Sequence, residues 1–173
     1  MHSSRTDQWG TPPCVLDKVH EVLGTIELDP ASSDYWNAAV QAERYLTDAL
    51  SAEPWSDKPV SVYLNPPGGK QGTKSLAGLF WTRLLQERAQ GSVTHAIFMA
   101  FSAEALATTQ KPGQLSIMDF SFCVPAKRLH FVNRGVKKTA PSHSNVIAYL
   151  PGTVDRRQMF RDVFSTLGKV VVQ

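Results

Sequence analysis

The sequence predicts an α/β sandwich, a mainly parallel sheet with helices on both faces and an antiparallel hairpin toward its carboxyl end. Three observations lead there. Helical and extended patterns alternate along the 173 residues. The run Ala96-Ile97-Phe98-Met99-Ala100-Phe101 is continuously apolar, as a central parallel strand buried on both faces should be. Predicted strands end at Asp29, Asn65 and Phe101, and ligands of such sheets bind outside strand carboxyl ends.

The elements follow in order. Pro12-Pro13 opens a helix whose apolar face is Val15, Val19, Val22 and Leu23, and Gly24 ends it. Thr25 to Leu28 reads as a short strand running into Asp29-Pro30, and Val60 to Leu64 as a buried strand. Leu79 to Gln90 is helical, with Leu84, Leu85 and Arg88 at helical spacing and Gly91 as the stop. After the central strand, Ser102-Ala103-Glu104-Ala105 starts another helix. Leu129 to Val132 and Val146 to Leu150 are the predicted strands of the hairpin, bracketing a basic loop. Asp155 is placed to cap a last helix reaching about Leu167, and Lys169 to Val172 reads as an edge strand.

A chain of this length fits one domain, residues 1–173, with no separate recognition domain. Its 42% hydrophobic and 19% charged residues are those of a folded soluble protein. The polar start, Met1-His2-Ser3-Ser4-Arg5-Thr6-Asp7, predicts no signal peptide, and no apolar run approaches membrane-spanning length. Cys14 and Cys123 lack metal-ligand spacing, which suits a reducing cytoplasm and argues against zinc. Charge is uneven. Residues 1–120 carry nine Lys and Arg against thirteen Asp and Glu, whereas residues 121–173 carry nine against two. Lys127, Arg128, Arg134, Lys137 and Lys138 fall in one acid-free stretch that could follow a phosphate backbone or lie in solvent as a loop.

Val62-Tyr63-Leu64-Asn65-Pro66-Pro67 carries the sharpest chemical hint, an apolar strand entering Asn-Pro-Pro. An exocyclic amine on a base is a poor nucleophile, because its lone pair is delocalised into the ring. The Asn oxygen and the carbonyl of the following Pro can each accept one N–H, which draws the nitrogen toward tetrahedral geometry. Such acceptors stabilise charge developing in a transition state and orient the attack. The prolines fix φ and so aim the carbonyls. The same residues also suit a rigid turn with no chemistry.

Other segments carry paired readings too. Gly68-Gly69-Lys70-Gln71-Gly72-Thr73-Lys74-Ser75 is one residue from a phosphate-binding P-loop, with Thr73 where the second Gly belongs. The strand Ala96 to Phe101 lacks the Asp that would hold Mg²⁺. A basic lid over a base or its phosphates is the better reading, with a Gly-rich connector as the plain one. Asp29-Pro30-Ala31-Ser32-Ser33 suits a ligand loop or a capped helix start. Trp36 and Trp81 read as packing residues; Trp9 and Trp55 lie in loops beside motifs.

Asp7-Gln8-Trp9-Gly10-Thr11-Pro12-Pro13, Glu27-Leu28-Asp29-Pro30-Ala31-Ser32, Ala42-Glu43-Arg44-Tyr45 and Leu64-Asn65-Pro66-Pro67 occur in that order. The chain thereby resembles the phage-encoded DNA N6-adenine methyltransferases, the Dam-like family of bacteriophages and prophages, from about Asp7 to Pro151. The resemblance implies a Rossmann-like methyltransferase fold and S-adenosylmethionine (SAM) as cofactor. It implies DNA as partner, no metal, and a bacterial cytoplasm as the place of action. Asn65, Pro66 and Pro67 become the catalytic candidates. Trp9, Thr11, Pro12, Asp29, Pro30, Ala31, Asp48 and Phe101 become the cofactor candidates. Gly68, Lys70, Lys74, Lys127, Arg128, Lys137 and Lys138 become the nucleic-acid candidates. The resemblance departs at Gly68, where the family usually places an aromatic residue, most often Tyr, to stack on the flipped base. Trp9, Trp55 and Phe101 are candidate substitutes for that ring. Two other functions suit the same residues: modification of a different base or a free nucleotide, and a SAM-fold DNA-binding protein with little catalysis.

Overall fold

The computed structural model describes residues 9–51, 54–133 and 141–173. Helix α1 (Pro13–Leu23) starts on two prolines, which remove N–H groups that a first turn leaves unpaired. It ends at Gly24, whose φ of 75° lets its N–H reach the His20 carbonyl. The chain continues through β1 (Leu28–Asp29), α2 (Asp34–Val40), β2 (Arg44–Tyr45), β3 (Val60–Leu64), β4 (Lys70–Gln71), β5 (Lys74–Ser75) and α3 (Leu76–Ala89). Then come β6 (Val93–Ala100), α4 (Ala105–Thr108), β7 (Ser121–Pro125), β8 (Val146–Pro151), α5 (Arg157–Phe164) and β9 (Gly168–Val171).

Seven strands form one mixed sheet in the order β2-β1-β3-β6-β8-β7-β9. The first four pair in parallel. β8 lies antiparallel between β6 and β7, and β9 runs antiparallel along β7. β7 therefore points the same way as β6, and its carboxyl end shares an edge with those of β1, β3 and β6.

Side chains alternate across this sheet with period two and supply two cores. Val60, Val62, Leu64, Ala96, Phe98, Ala148 and Leu150 pack against Phe80, Trp81 and Leu84 of α3. Tyr63, Ile97, Met99, Ile147 and Tyr149 pack against Val15, Val19 and Val22 of α1 and Phe160 and Phe164 of α5. Helices thus cover both faces, which explains why the central strands read as unbroken apolar runs.

Several elements differ from the sequence prediction. The strand at Thr25–Leu28 shrinks to Leu28–Asp29, because the Glu27 N–H is taken by the Ser61 hydroxyl rather than by a ladder carbonyl. α3 begins at Leu76, where the Ser75 hydroxyl accepts the Gly78 N–H. The helix expected from Ser102 is four residues long. The expected hairpin is corrected outright: Leu129 to Val132 makes no strand, and β8 pairs instead with β6 and β7. The cause is Asn145. Its Oδ1 accepts from Leu129 N at 2.9 Å and its Nδ2 donates to Phe101 O at 2.6 Å, so a side chain replaces the ladder there. Asp155 accepts the Arg157 N–H in a turn just before α5 rather than capping it as N-cap.

β9 approaches β7 closely at Gly168, where a Cβ would run into the Val124 carbonyl oxygen and the backbone of Pro125. Gly168→Ala should lower stability by about 1–3 kcal/mol through this overpacking. Thermal or urea unfolding beside wild type checks it; an unchanged midpoint would mean that the edge strand adjusts freely.

Candidate functional site

Because β1, β3 and β6 run parallel, their carboxyl ends meet on one edge of the sheet. A pocket of about 450 Å³ opens at that edge, in the size range of small-molecule sites. Trp9, Gly10 and Thr11 before α1, Asp29 to Ser32 after β1, and Asn65 to Pro67 after β3 all line it. Tyr35 and Trp36 of α2, Tyr63, Phe80 and Val132 complete most of its wall.

Asn65 stands at the end of β3 with its carboxamide fixed. Nδ2 donates to Trp9 O at 2.8 Å and to Thr11 Oγ1 at 3.2 Å. A carbonyl only accepts, so the nitrogen must face Trp9 and Oδ1 must face away. Among the described residues no hydrogen bond reaches Oδ1. Thr11 is held from the other side by the Tyr63 hydroxyl, and both residues are buried. Burial raises the Tyr63 phenol above its ordinary value, so it remains neutral. Pro66 is buried and Pro67 half-buried, leaving the turn no slack.

Asp29 is 2% exposed at the pocket floor. Burial pushes its carboxyl from 3.8 up to about 7, against the Ala31 N–H, which donates to Oδ1 at 3.0 Å, and a nearby Ser32 hydroxyl. The Ser32 Oγ is itself buried and, among the described residues, makes no hydrogen bond of normal geometry. The next residue, Ser33, accepts the Trp36 N–H and caps α2, so this loop is both a helix start and a pocket wall.

The aromatic wall is built by close approach. A Cβ at Gly10 would collide with the Trp36 ring, so only glycine lets that ring lie on the backbone. Tyr35 packs edge-on against Trp36, with centroids 4.7 Å apart. Trp9 stacks on Phe101 at 6.2 Å, and Phe101 in turn touches Phe131 and His143. Gly10 and Val132 exchange both backbone hydrogen bonds, at 2.8 and 2.9 Å, which ties this wall to the segment after β7.

Of the expected site residues, Asn65, Pro66, Pro67, Trp9, Thr11, Asp29, Pro30 and Ala31 converge on the pocket. Pro12 is buried beside it as the first cap of α1. Phe101 lies behind Trp9 rather than in the wall. Asp48 is exposed, with its carbonyl accepting Ser51 N, and Thr47 takes the lining position. Trp55 sits in the core, 1% exposed, with its indole N–H donated to Ala49 O, so it offers no ring to a ligand. Gly68 is half-buried, and Lys70, Lys74, Lys127 and Arg128 are exposed. Lys137 and Lys138, like Arg134, lie outside the described residues.

The P-loop reading does not survive. Gln71 pairs with Lys74 and Lys70 with Ser75, so the segment is a hairpin. The first turn of α3 is already occupied, Leu76 N by Gly69 O and Gly78 N by Ser75 Oγ. Sequence reasoning missed Tyr35, Trp36, Tyr63 and Val132 as pocket residues. The signal for Trp36 was present, a ring one turn beyond a strand-end Asp-Pro loop. Val132 carried no signal, because its place depends on a bridge to Gly10.

Among the described residues no cluster of His, Cys, Asp and Glu could hold a metal, and no helix is long and apolar enough to cross a membrane. Cys14 is exposed and Cys123 buried, with burial pushing the Cys123 thiol up to about 12. Neither lines the pocket. Comparison with models of known protein families, with curated proteins and with solved structures gives no match.

The raised Asp29 carboxyl makes a pH prediction. Between about pH 4 and pH 7 the folded chain keeps a proton that the unfolded chain has released. The stability contributed by this group therefore falls as pH rises through that window. Asp29→Asn should gain on wild type from pH 5 to pH 8, on the order of 3 kcal/mol at most. Unfolding midpoints across that range test it, and parallel curves for the two proteins would place the Asp29 titration elsewhere.

Proposed function

We propose that the protein transfers a methyl group from SAM to the exocyclic N6 amine of adenine in DNA. The observation that carries this reading is the Asn65 carboxamide. Its nitrogen is committed to Trp9 and Thr11, and its oxygen is left as a preset acceptor beside two prolines in a pocket.

Two features of the pocket fit SAM, a cationic molecule with many polar atoms. Among the described residues, the buried Ser32 Oγ makes no hydrogen bond of normal geometry. The Asp29 carboxyl, disfavoured as an anion by burial, is stabilised in its charged form by a cation placed near it. Asp29, Pro30, Ala31 and Ser32, with Thr11 and Trp36, are the residues that would hold the cofactor. SAM, when bound, supplies the electrophilic methyl group.

The chain supplies the rest. Asn65 Oδ1 and the Pro66 carbonyl each accept one N–H of the target amine, so the nitrogen lone pair leaves conjugation and points at the methyl. As the C–N bond formed and the methyl–sulfur bond of SAM broke to leave a neutral thioether, the nitrogen would become positive; the two oxygens would already face that charge without reorganising, and the surplus N–H proton would pass to water. Reaching the amine requires the base to leave its stack. The Trp9 ring, backed by Phe101 and joined to Asn65 through the Trp9 carbonyl, is the π-face in this reading that Gly68 does not provide. Lys127 and Arg128 follow β7 on the same edge of the sheet as Asn65 and would meet phosphates there.

Incubation of labelled SAM with unmethylated DNA, followed by nucleoside mass analysis, tests the proposal. N6-methyladenine is the expected product; a different methylated nucleoside would move the reading to another amine, and no transfer would refute it. Asn65→Ala should lower kcat roughly 10²–10³-fold with SAM affinity nearly intact. A wild-type rate in that variant would leave Asn65 as a turn residue. Trp9→Ala keeps the backbone carbonyl that holds Asn65 and removes only the ring. It should raise KM for DNA roughly 10- to 100-fold, the loss of one base-stacking face. An unchanged KM would assign the stacking to another ring.

A further inference from the structure

We infer that the β4–β5 hairpin is the sequence-reading element for duplex DNA, entering the major groove with Gln71 as the base reader. This rests on the methyl-transfer reading above and gives it a substrate form and a specificity residue.

The hairpin starts three residues after Pro67, at Lys70, and ends in the Ser75 cap of α3. Its register pairs Lys70 with Ser75 and Gln71 with Lys74. Gly72 takes φ 61° in the two-residue turn, a conformation that suits glycine at the first turn position. Residues 69–74 are all exposed. Among the described residues, the side chains of Lys70, Gln71, Thr73 and Lys74 make no hydrogen bond or ion pair. Between Asp57 and Glu87 the chain carries no carboxylate, so nothing near in sequence neutralises the two lysines.

A bare polar ribbon is unusual, since a two-stranded hairpin has little stability unless something covers it. The groove of a duplex is a suitable cover. It admits a two-stranded ribbon, and its depth of about 8.5 Å is close to the reach of this one, roughly 10 Å from Gly69 to the turn. Paired residues share a face, so Gln71 and Lys74 point one way and Lys70 and Ser75 the other. Gln can bond the N6 and N7 edge of adenine through two hydrogen bonds, and Lys can meet guanine or a phosphate. A single strand is the poorer match, because proteins grip it by stacking bases on rings and the segment Lys70–Ser75 contains none.

The test is binding of full-length protein to random-sequence duplex DNA across a salt series, with selection of preferred sequences from the pool. The double variant Lys70→Gln/Lys74→Gln should reduce the log–log salt slope by about two, one per lost contact. Gln71→Ala should relax preference at one adenine position roughly 10- to 100-fold while leaving the slope alone. An unchanged slope in the double variant, an unchanged preference in Gln71→Ala, or binding confined to single strands overturns the inference. Methylation by those same variants would show that the methyl-transfer reading stands regardless. Duplex binding that responds as described, without methyl transfer by wild type, would uphold the hairpin and refute the enzyme.

Discussion

The hydrogen bond from Asn65 Nδ2 to the Trp9 carbonyl gives the pocket its shape. It joins the end of a central strand to the segment before the first helix. Without it the carboxamide has no preferred orientation, and Trp9 to Thr11 lose their anchor on the sheet. Thr11 adds a second hold, linking Asn65 to the buried Tyr63 hydroxyl two residues earlier on β3. The chain of contacts is short and almost wholly polar inside an apolar setting, where an unmade partner is costly. Among the described residues every member is satisfied except one oxygen, the Asn65 Oδ1.

Around this clamp the sheet does two jobs. Its central strands are buried on both faces, which fixes β3 firmly enough for Asn65 to be aimed. Its parallel half places the Asp29 loop beside the Asn65 turn, since β1 and β3 are neighbours. A buried carboxyl near neutrality and a carboxamide with one open acceptor then share a pocket whose remaining walls are mostly aromatic or apolar. The polar groups differ in kind, one able to carry a negative charge and one always neutral.

Much of this was legible in the sequence because the signals were local. Pro12-Pro13 and Gly24 bounded α1, and the apolar run at Ala96 announced the central strand. Strand ends at Asp29 and Asn65 pointed to one edge, as the sheet bears out. Expectations failed where side chains replaced backbone pairing. Asn145 bonds Leu129 and Phe101, which turned an expected hairpin into a loop. β7 was missed because Ser121-Phe122-Cys123-Val124-Pro125 ends in a proline and lacks a strong alternation. Trp36 entered the wall only because Gly10, distant in sequence, leaves room for its ring.

The bridge between Gly10 and Val132 has a consequence for the order in which the molecule assembles. Val132 is positioned by β7, which pairs with β8, so the wall beside Trp9 waits for residues as late as Pro151. A growing polypeptide can form α1 and the parallel strands long before that bridge exists. Loop closure over such a separation comes late, because its entropy must be met by contacts already made. The pocket wall is thus completed only after β8 has been made, and an unfinished chain has its parallel strands before it has this pocket.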